Sequence, residues 1–170
     1  MHDLEIAKHK LQKKDLNLVI VKKGATIFET KSPGISGLLE AIEKFDKENL
    51  SGSFVADKVV GRAAALLCVY CEVSAVYAVV FSRGGKDVLE NNRVAFEFED
   101  LVPNVLNRQK TDVCPFEKVV ANISNPKEAY EKLKSCINKN TQTEKTHHSL
   151  KEDTNPNRPK TQHTNTNINA

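Results

Sequence analysis

Residues 57–81 read DKVVGRAAALLCVYCEVSAVYAVVF and decide the fold. Lys58–Tyr70 is predicted to be a helix capped by Asp57, and it must be buried because apolar side chains fall on nearly every side. Ala75–Phe81 is a continuous apolar run, which is typical of a strand covered on both faces. With a short strand at Ser53–Ala56 before the helix, the stretch predicts a β-α-β unit with a right-handed crossover.

The flanking sequence alternates between the apolar periods of helices and strands. The predicted elements are a helix at 1–13, two hairpin strands at 16–21 and 26–29, a helix at 35–48, a polar helix at 86–91, a strand at 94–98, a helix from Pro115 to about Ala121 with Cys114 as its N-cap, and a helix from Pro126 to near Ile137. Together they predict an α/β domain over residues 1–137, with three α/β/α layers, a mixed sheet and helices on both faces.

Residues 138–170 have a different composition from the rest of the chain. They include seven Asn and seven Thr and have almost nothing to bury, so we expect a disordered tail. The tail carries two of the three net positive charges, which leaves +1 for residues 1–137. A nearly neutral body makes nucleic acid an improbable partner, and the lysines of segment 8–14 are interpreted as a solvated helix face.

The apolar runs are too short for a membrane span. The longest, Ala63–Tyr70, falls well below the roughly 20 residues that a transmembrane helix needs, and the N-terminus has no signal-peptide pattern. Four cysteines without a paired framework favour reduced thiols. We therefore expect a cytoplasmic protein that does not bind membranes. Whether it forms a homo-oligomer stays open.

Two segments carry a resemblance to a known family. VADKVVGRAAAL at residues 55–66, with the strand after it, and CPFE at residues 114–117 resemble the domain of unknown function 1893 family. The resemblance covers about residues 14–137. It implies a cytidine-deaminase-like fold, and it implies no particular activity, since none is established for the family.

The residues that zinc chemistry needs in a deaminase are missing from this sequence. Such enzymes use a His or Cys two residues before a catalytic Glu at one helix start, and Pro-Cys-x-x-Cys at the next. Here the first position reads Asp57-Lys58-Val59, Cys114-Pro115 reverses the dipeptide, and Glu117 replaces the second cysteine. The Cys68-x-x-Cys71 pair is interpreted as packing. We predict that the fold is kept without zinc, and we expect no metal or cofactor.

The polar residues at the predicted helix starts form the candidate site. Ligands of α/β sheets bind outside the carboxyl ends of strands, so we predict a ligand pocket. A lysine at the positive end of a helix dipole is electrostatically misplaced, which favours a functional role for Lys58. Asp57 could equally be only a cap, and Arg62 could face the pocket or solvent. The predicted pocket residues are Asp57, Lys58, Arg62, Cys114 and Glu117.

Three functions of different classes fit these residues. The favoured one is a domain that binds a small metabolite or nucleotide without zinc catalysis. The second is a zinc-independent enzyme that uses Cys114 as nucleophile, or Lys58 as base or Schiff-base former. The third is a protein-interaction module whose polar helix starts are only architectural. Whether the chain is an enzyme therefore stays open at this stage.

Overall fold

The computed structural model describes the backbone of residues 2–149 and the side chains of residues 2–139. It contains five strands and six helices in this range. Their bounds are α1 His2–Lys13, β1 Leu18–Lys22, β2 Ala25–Thr30, α2 Ser36–Leu50, β3 Phe54–Val60, α3 Arg62–Tyr70, β4 Ala75–Ser82, α4 Arg83–Asn91, β5 Ala95–Val102, α5 Pro115–Val119 and α6 Pro126–Ser149.

The strands form one mixed sheet in the order β2-β1-β3-β4-β5. β1 is antiparallel to both β2 and β3, whereas β3, β4 and β5 run parallel. Parallel neighbours need crossover connections, and α3 and α4 provide them. The predicted hairpin, the mixed sheet and the strand-helix-strand order around α3 are confirmed.

The sheet has helices on both faces because its central strands alternate between two cores. On β1, Val19 packs into a core with Leu4, Ala7 and Leu11 of α1. The next residue, Ile20, belongs to a larger core on the other face, to which α2, α3, α4 and α6 all contribute. This alternation follows from the two-residue period of a strand. The predicted three-layer architecture is confirmed.

The start of α3 differs from the prediction. β3 continues to Val60 instead of ending at Ala56, and α3 begins at Arg62. Val59 and Val60 pair with β4, and β-branched residues fit a strand better than a helix. The correction places Asp57 and Lys58 within the strand rather than at the helix start.

The other differences concern the bounds of elements. α4 begins at Arg83, three residues before the predicted start, and β5 runs to Val102 instead of residue 98. α6 continues to Ser149, past the predicted end near Ile137, since no Gly or Pro follows Pro126 within the helix to end it. Contacts within the chain divide it after Ile137. Residues 150–170 lie outside the described part of the chain, and the disorder expected for the tail stays a prediction.

Candidate functional site

Three helices begin beside one another at the carboxyl ends of β3 and β4. A Cβ atom added to Gly85 of α4 would lie 2.9 Å from the carbonyl oxygen of Gly61, which precedes α3. A Cβ atom added to Gly61 would lie 2.5 Å from a carboxylate oxygen of Glu117 on α5. We call residues 61–63, 82–85 and 114–117 the helix-start cluster. A side chain at Gly85 would meet the backbone of Gly61 and push the two helix starts apart, whereas a side chain at Gly61 would displace the carboxylate of Glu117.

Glu117 caps α3 from a distant part of the chain. Its two carboxylate oxygens accept hydrogen bonds from the backbone N–H groups of Arg62, at 2.8 Å, and Ala63, at 2.9 Å. The residue before α3 is Gly61, which has no side chain to do this locally. The first N–H groups of a helix lack partners within the helix and carry its positive dipole end, so a carboxylate stabilises them. The predicted site residue Glu117 is therefore part of the architecture of this end of the sheet.

Arg62 connects the start of α3 to the end of α5 through side-chain hydrogen bonds. Its Nε donates to the carbonyl oxygen of Val120 at 3.0 Å, and its Nη2 donates to that of Ile123 at 2.7 Å. Val120 follows the last residue of α5, and its carbonyl oxygen also accepts from the backbone N–H of Ile123 at 3.0 Å. The half-buried guanidinium of Arg62 thus donates to two backbone oxygens, and the backbone N–H of the same residue donates to Glu117.

Asp57 is a buried carboxyl group in the middle of the sheet. It pairs with Leu18 of β1 and Ala78 of β4, and its side chain is on the face that α3 covers, since both partners belong to that core. Its Oδ1 accepts from the N–H of Val59 at 3.0 Å. Burial raises the pKa of Asp57 to about 7. The prediction that Asp57 caps a helix is wrong, because β3 continues three residues beyond Asp57 and the residue before α3 is Gly61.

Lys58 takes part in an ion pair outside the cluster. Its Nζ lies 2.5 Å from Oδ1 of Asp15, in the loop after α1, and the hydrogen bond from Lys58 lowers the pKa of Asp15. The backbone N–H of Lys58 donates to the carbonyl oxygen of Asn17. Because Lys58 is in β3, the expectation of a lysine at the positive end of a helix dipole is wrong. Its contacts tie the loop after α1 to β3.

The four thiols have different surroundings. Cys114 caps α5 as predicted, with Pro115 at the first helical position, and it is half-buried. Cys68 and Cys71 are buried, and burial raises the pKa of the Cys68 thiol well above its usual range and that of Cys71 to about 12. These two thiols therefore stay protonated at neutral pH, in agreement with a packing role.

The residues of the cluster do not fit a deaminase zinc. Each carboxylate oxygen of Glu117 already accepts a backbone hydrogen bond, and Cys114 is the one thiol in the cluster. Within residues 2–139, no three His, Cys, Asp or Glu side chains come together as metal ligands. Zinc binding also needs several such donors at one point.

Sequence reasoning missed the segment that begins α4. Ser82 is buried, and its hydroxyl accepts from the N–H of Gly85 at 3.0 Å. Arg83 follows as the first helical residue, with an exposed side chain. The signal was present as Ser-Arg-Gly-Gly directly after the apolar run of β4, since a polar cap followed by glycines indicates a tight strand-to-helix turn.

The comparisons with known proteins agree with the fold. The family model described as Domain of unknown function (DUF1893) matches residues 6–137. The crystal structure of a DUF1893 family protein from Thermotoga maritima is similar, with 32% sequence identity and a TM-score of 0.73, over 79% of this chain and 89% of that one.

A more distant likeness links part of the chain to RibD, form 2, of Acinetobacter baumannii, at 21% identity and a TM-score of 0.40, over 58% of this chain and 33% of that one. No curated protein matches the sequence. In the part of the chain that the structure describes, no helix is long and apolar enough to cross a membrane. With a family model that spans residues 6–137 and a solved relative of the same fold, this chain belongs to the DUF1893 family.

Proposed function

We propose that the domain binds a small anionic metabolite or nucleotide at the helix-start cluster, without zinc chemistry. One observation carries the proposal: the cluster holds the carboxylate of Glu117 with two backbone N–H groups at 2.8 and 2.9 Å. Helix starts hold the phosphate and carboxylate groups of ligands in the same way. The Glu117 contact supports the proposal as an internal example of an anionic group held by a helix start at this end of the sheet.

The adjoining start of α4 is where we place the ligand's anionic group. The N–H groups of Arg83 and Gly84 precede the hydrogen-bonded part of that helix. Gly84 presents no side chain to an approaching ligand, and the exposed guanidinium of Arg83 adds a positive charge beside them. Lys58 is not included, because its ammonium is paired with Asp15 away from the cluster.

The test is thermal stabilisation of the full chain by a panel of nucleotides and small organic acids. A ligand that binds the folded state raises the unfolding midpoint, and Arg83→Gln should reduce that rise. Lys132→Gln, which removes the same charge from an exposed position on α6, serves as the control. The proposal fails if no compound raises the midpoint, which would favour the protein-interaction module, or if Arg83→Gln and the control behave alike.

A second candidate function rests on the half-buried thiol of Cys114 at the start of α5. A thiol at a helix start can act as a nucleophile when its anion is stabilised there. Electrophilic analogues of acyl donors would trap such an enzyme as an adduct on Cys114. Adducts that form equally fast on Cys136, which lies on α6, would count against a catalytic thiol.

A further inference from the structure

A groove with a basic rim lies between α1 and the edge strand β2. Its volume is about 550 Å³, which is within the range of small-molecule sites. The groove belongs to the side of the sheet that α1 covers, so it is separate from the helix-start cluster on the other face. The main lining residues are Ile6, His9, Lys10, Lys13, Lys14 and Thr26.

The lysines of the groove are held in place by one carboxylate. Glu29 of β2 forms ion pairs with Lys10 at 2.7 Å and with Lys14 at 3.0 Å. The hydrogen bonds from these two lysines lower the pKa of Glu29, so it is ionised at neutral pH. Lys13 is exposed, and within residues 2–139 it forms no ion pair. The rim therefore has three ammonium groups and one carboxylate, which pairs with two of them, and this leaves a local excess of positive charge.

Glu5 and its neighbours have two carboxylates for one ammonium group, so they offset part of this positive charge. Glu5, which also contacts the groove, is paired with Lys8 at 3.1 Å, and Lys8 in turn contacts Glu97 of β5 at 2.6 Å. Ile6 provides an apolar floor, and the aliphatic parts of the lysine side chains extend it. The groove thus combines cations at the rim with an apolar surface at Ile6.

We propose that this groove binds an organic phosphate, with the phosphate on Lys10, Lys13 and Lys14 and the apolar body of the ligand over Ile6. Ammonium groups act as point charges for phosphate, and the hydroxyl of Thr26 offers a further donor. Glu29 has two effects. It positions Lys10 and Lys14, and it competes with the ligand for both. Because Glu29 competes with the ligand, removing its carboxylate should raise the affinity of the groove for the ligand, and this gain can be tested.

The test uses adenosine monophosphate as the probe, with adenosine and inorganic phosphate as its two halves, titrated into the full chain by calorimetry. Adenosine monophosphate should bind more tightly than either half. Lys13→Gln should weaken its binding about two- to fivefold, as expected for one exposed ion pair. Glu29→Gln should tighten it, because the lysines lose their internal competitor. Lys132→Gln is the matched control and should change nothing.

Two results would overturn the proposal. One is that adenosine monophosphate does not bind, or binds no better than its halves. The other is that Glu29→Gln or Lys13→Gln behaves like the control, which would mean that these charges serve only to hold α1 against β2. Arg83→Gln separates the two sites: binding of adenosine monophosphate that Arg83→Gln weakens and Lys13→Gln does not would place the ligand at the helix-start cluster and overturn the proposal. Thermal melts of each variant establish that it is folded.

Discussion

Replacing Asp57 by Asn should make the protein more stable at neutral and alkaline pH. The pKa of Asp57 rises from 3.8 to about 7 on folding, because the carboxyl is buried between β1 and β4. The folded state therefore keeps a proton that the unfolded state releases. Stability from this group is fully present below the unfolded pKa and is lost as pH rises through about 7. The whole difference corresponds to about 4 kcal/mol, taken as an upper value.

The Asn variant removes this titration and keeps the main contact. Its side-chain oxygen can still accept from the N–H of Val59, as Asp57 does at 3.0 Å. Urea unfolding at pH 5 and pH 8 measures the effect. Between these values the wild type should lose about 3 kcal/mol more than Asp57→Asn, since most of the titration falls in that interval. Other titrating groups are shared by both proteins and cancel in the comparison.

Asp87→Asn is the control, because Asp87 is exposed on α4. It should change the pH dependence little. Parallel stability curves for the wild type and Asp57→Asn would refute the reasoning, since they would mean that Asp57 ionises as easily in the folded as in the unfolded chain. A wild type that gains stability from pH 5 to pH 8 relative to the variant would reverse the sign and refute it equally.

Three further predictions concern the helix-start cluster. Glu117→Ala should lower the free energy of unfolding by about 0.5–2 kcal/mol through loss of the α3 cap, measured by urea unfolding against exposed Glu131→Ala; equal effects would show that the cap contributes nothing. Limited iodoacetamide labelling with peptide mapping should modify Cys114 first, because Cys68 and Cys71 are buried and Cys136 lies inside α6, whereas Cys114 is at a helix start that favours a thiolate; first labelling of Cys136 would contradict this. Elemental analysis of untagged protein should find no stoichiometric zinc, and one tightly bound zinc per chain would overturn that expectation.

Most of the fold could be predicted from the sequence, because the segments that decide it have clear apolar patterns. Ala75–Phe81 is a short, continuous apolar run rich in valine, which favours a buried strand, and β4 covers it with one further residue. The start of α3 was harder to predict. Asp57 followed by an apolar helical run satisfies the local rules for a cap, but pairing of Val59 and Val60 with β4 outweighs that local preference. Gly61 marks the true boundary, and a single glycine cannot show this without its tertiary contacts.

The candidate site was predicted less well, because its contacts join distant residues. Arg62 and Glu117 were both named from their positions near helix starts, and the structure brings them together. That they bind each other, across 55 positions of sequence, depends on how α5 packs against α3. Lys58 and Asp15 are likewise 43 residues apart. No local pattern encodes such pairs.

The distant cap of α3 also bears on how the chain is made. During synthesis, α3 emerges long before residue 117, so its first N–H groups are left to water until α5 is complete. A nascent chain that ends after β5 has all five strands of the sheet yet lacks the carboxylate that secures its central crossover helix. The cap of α3 is thus completed late in synthesis, and of the described elements only α6, which packs into the larger core, comes after it. Contacts of such long sequence separation slow folding.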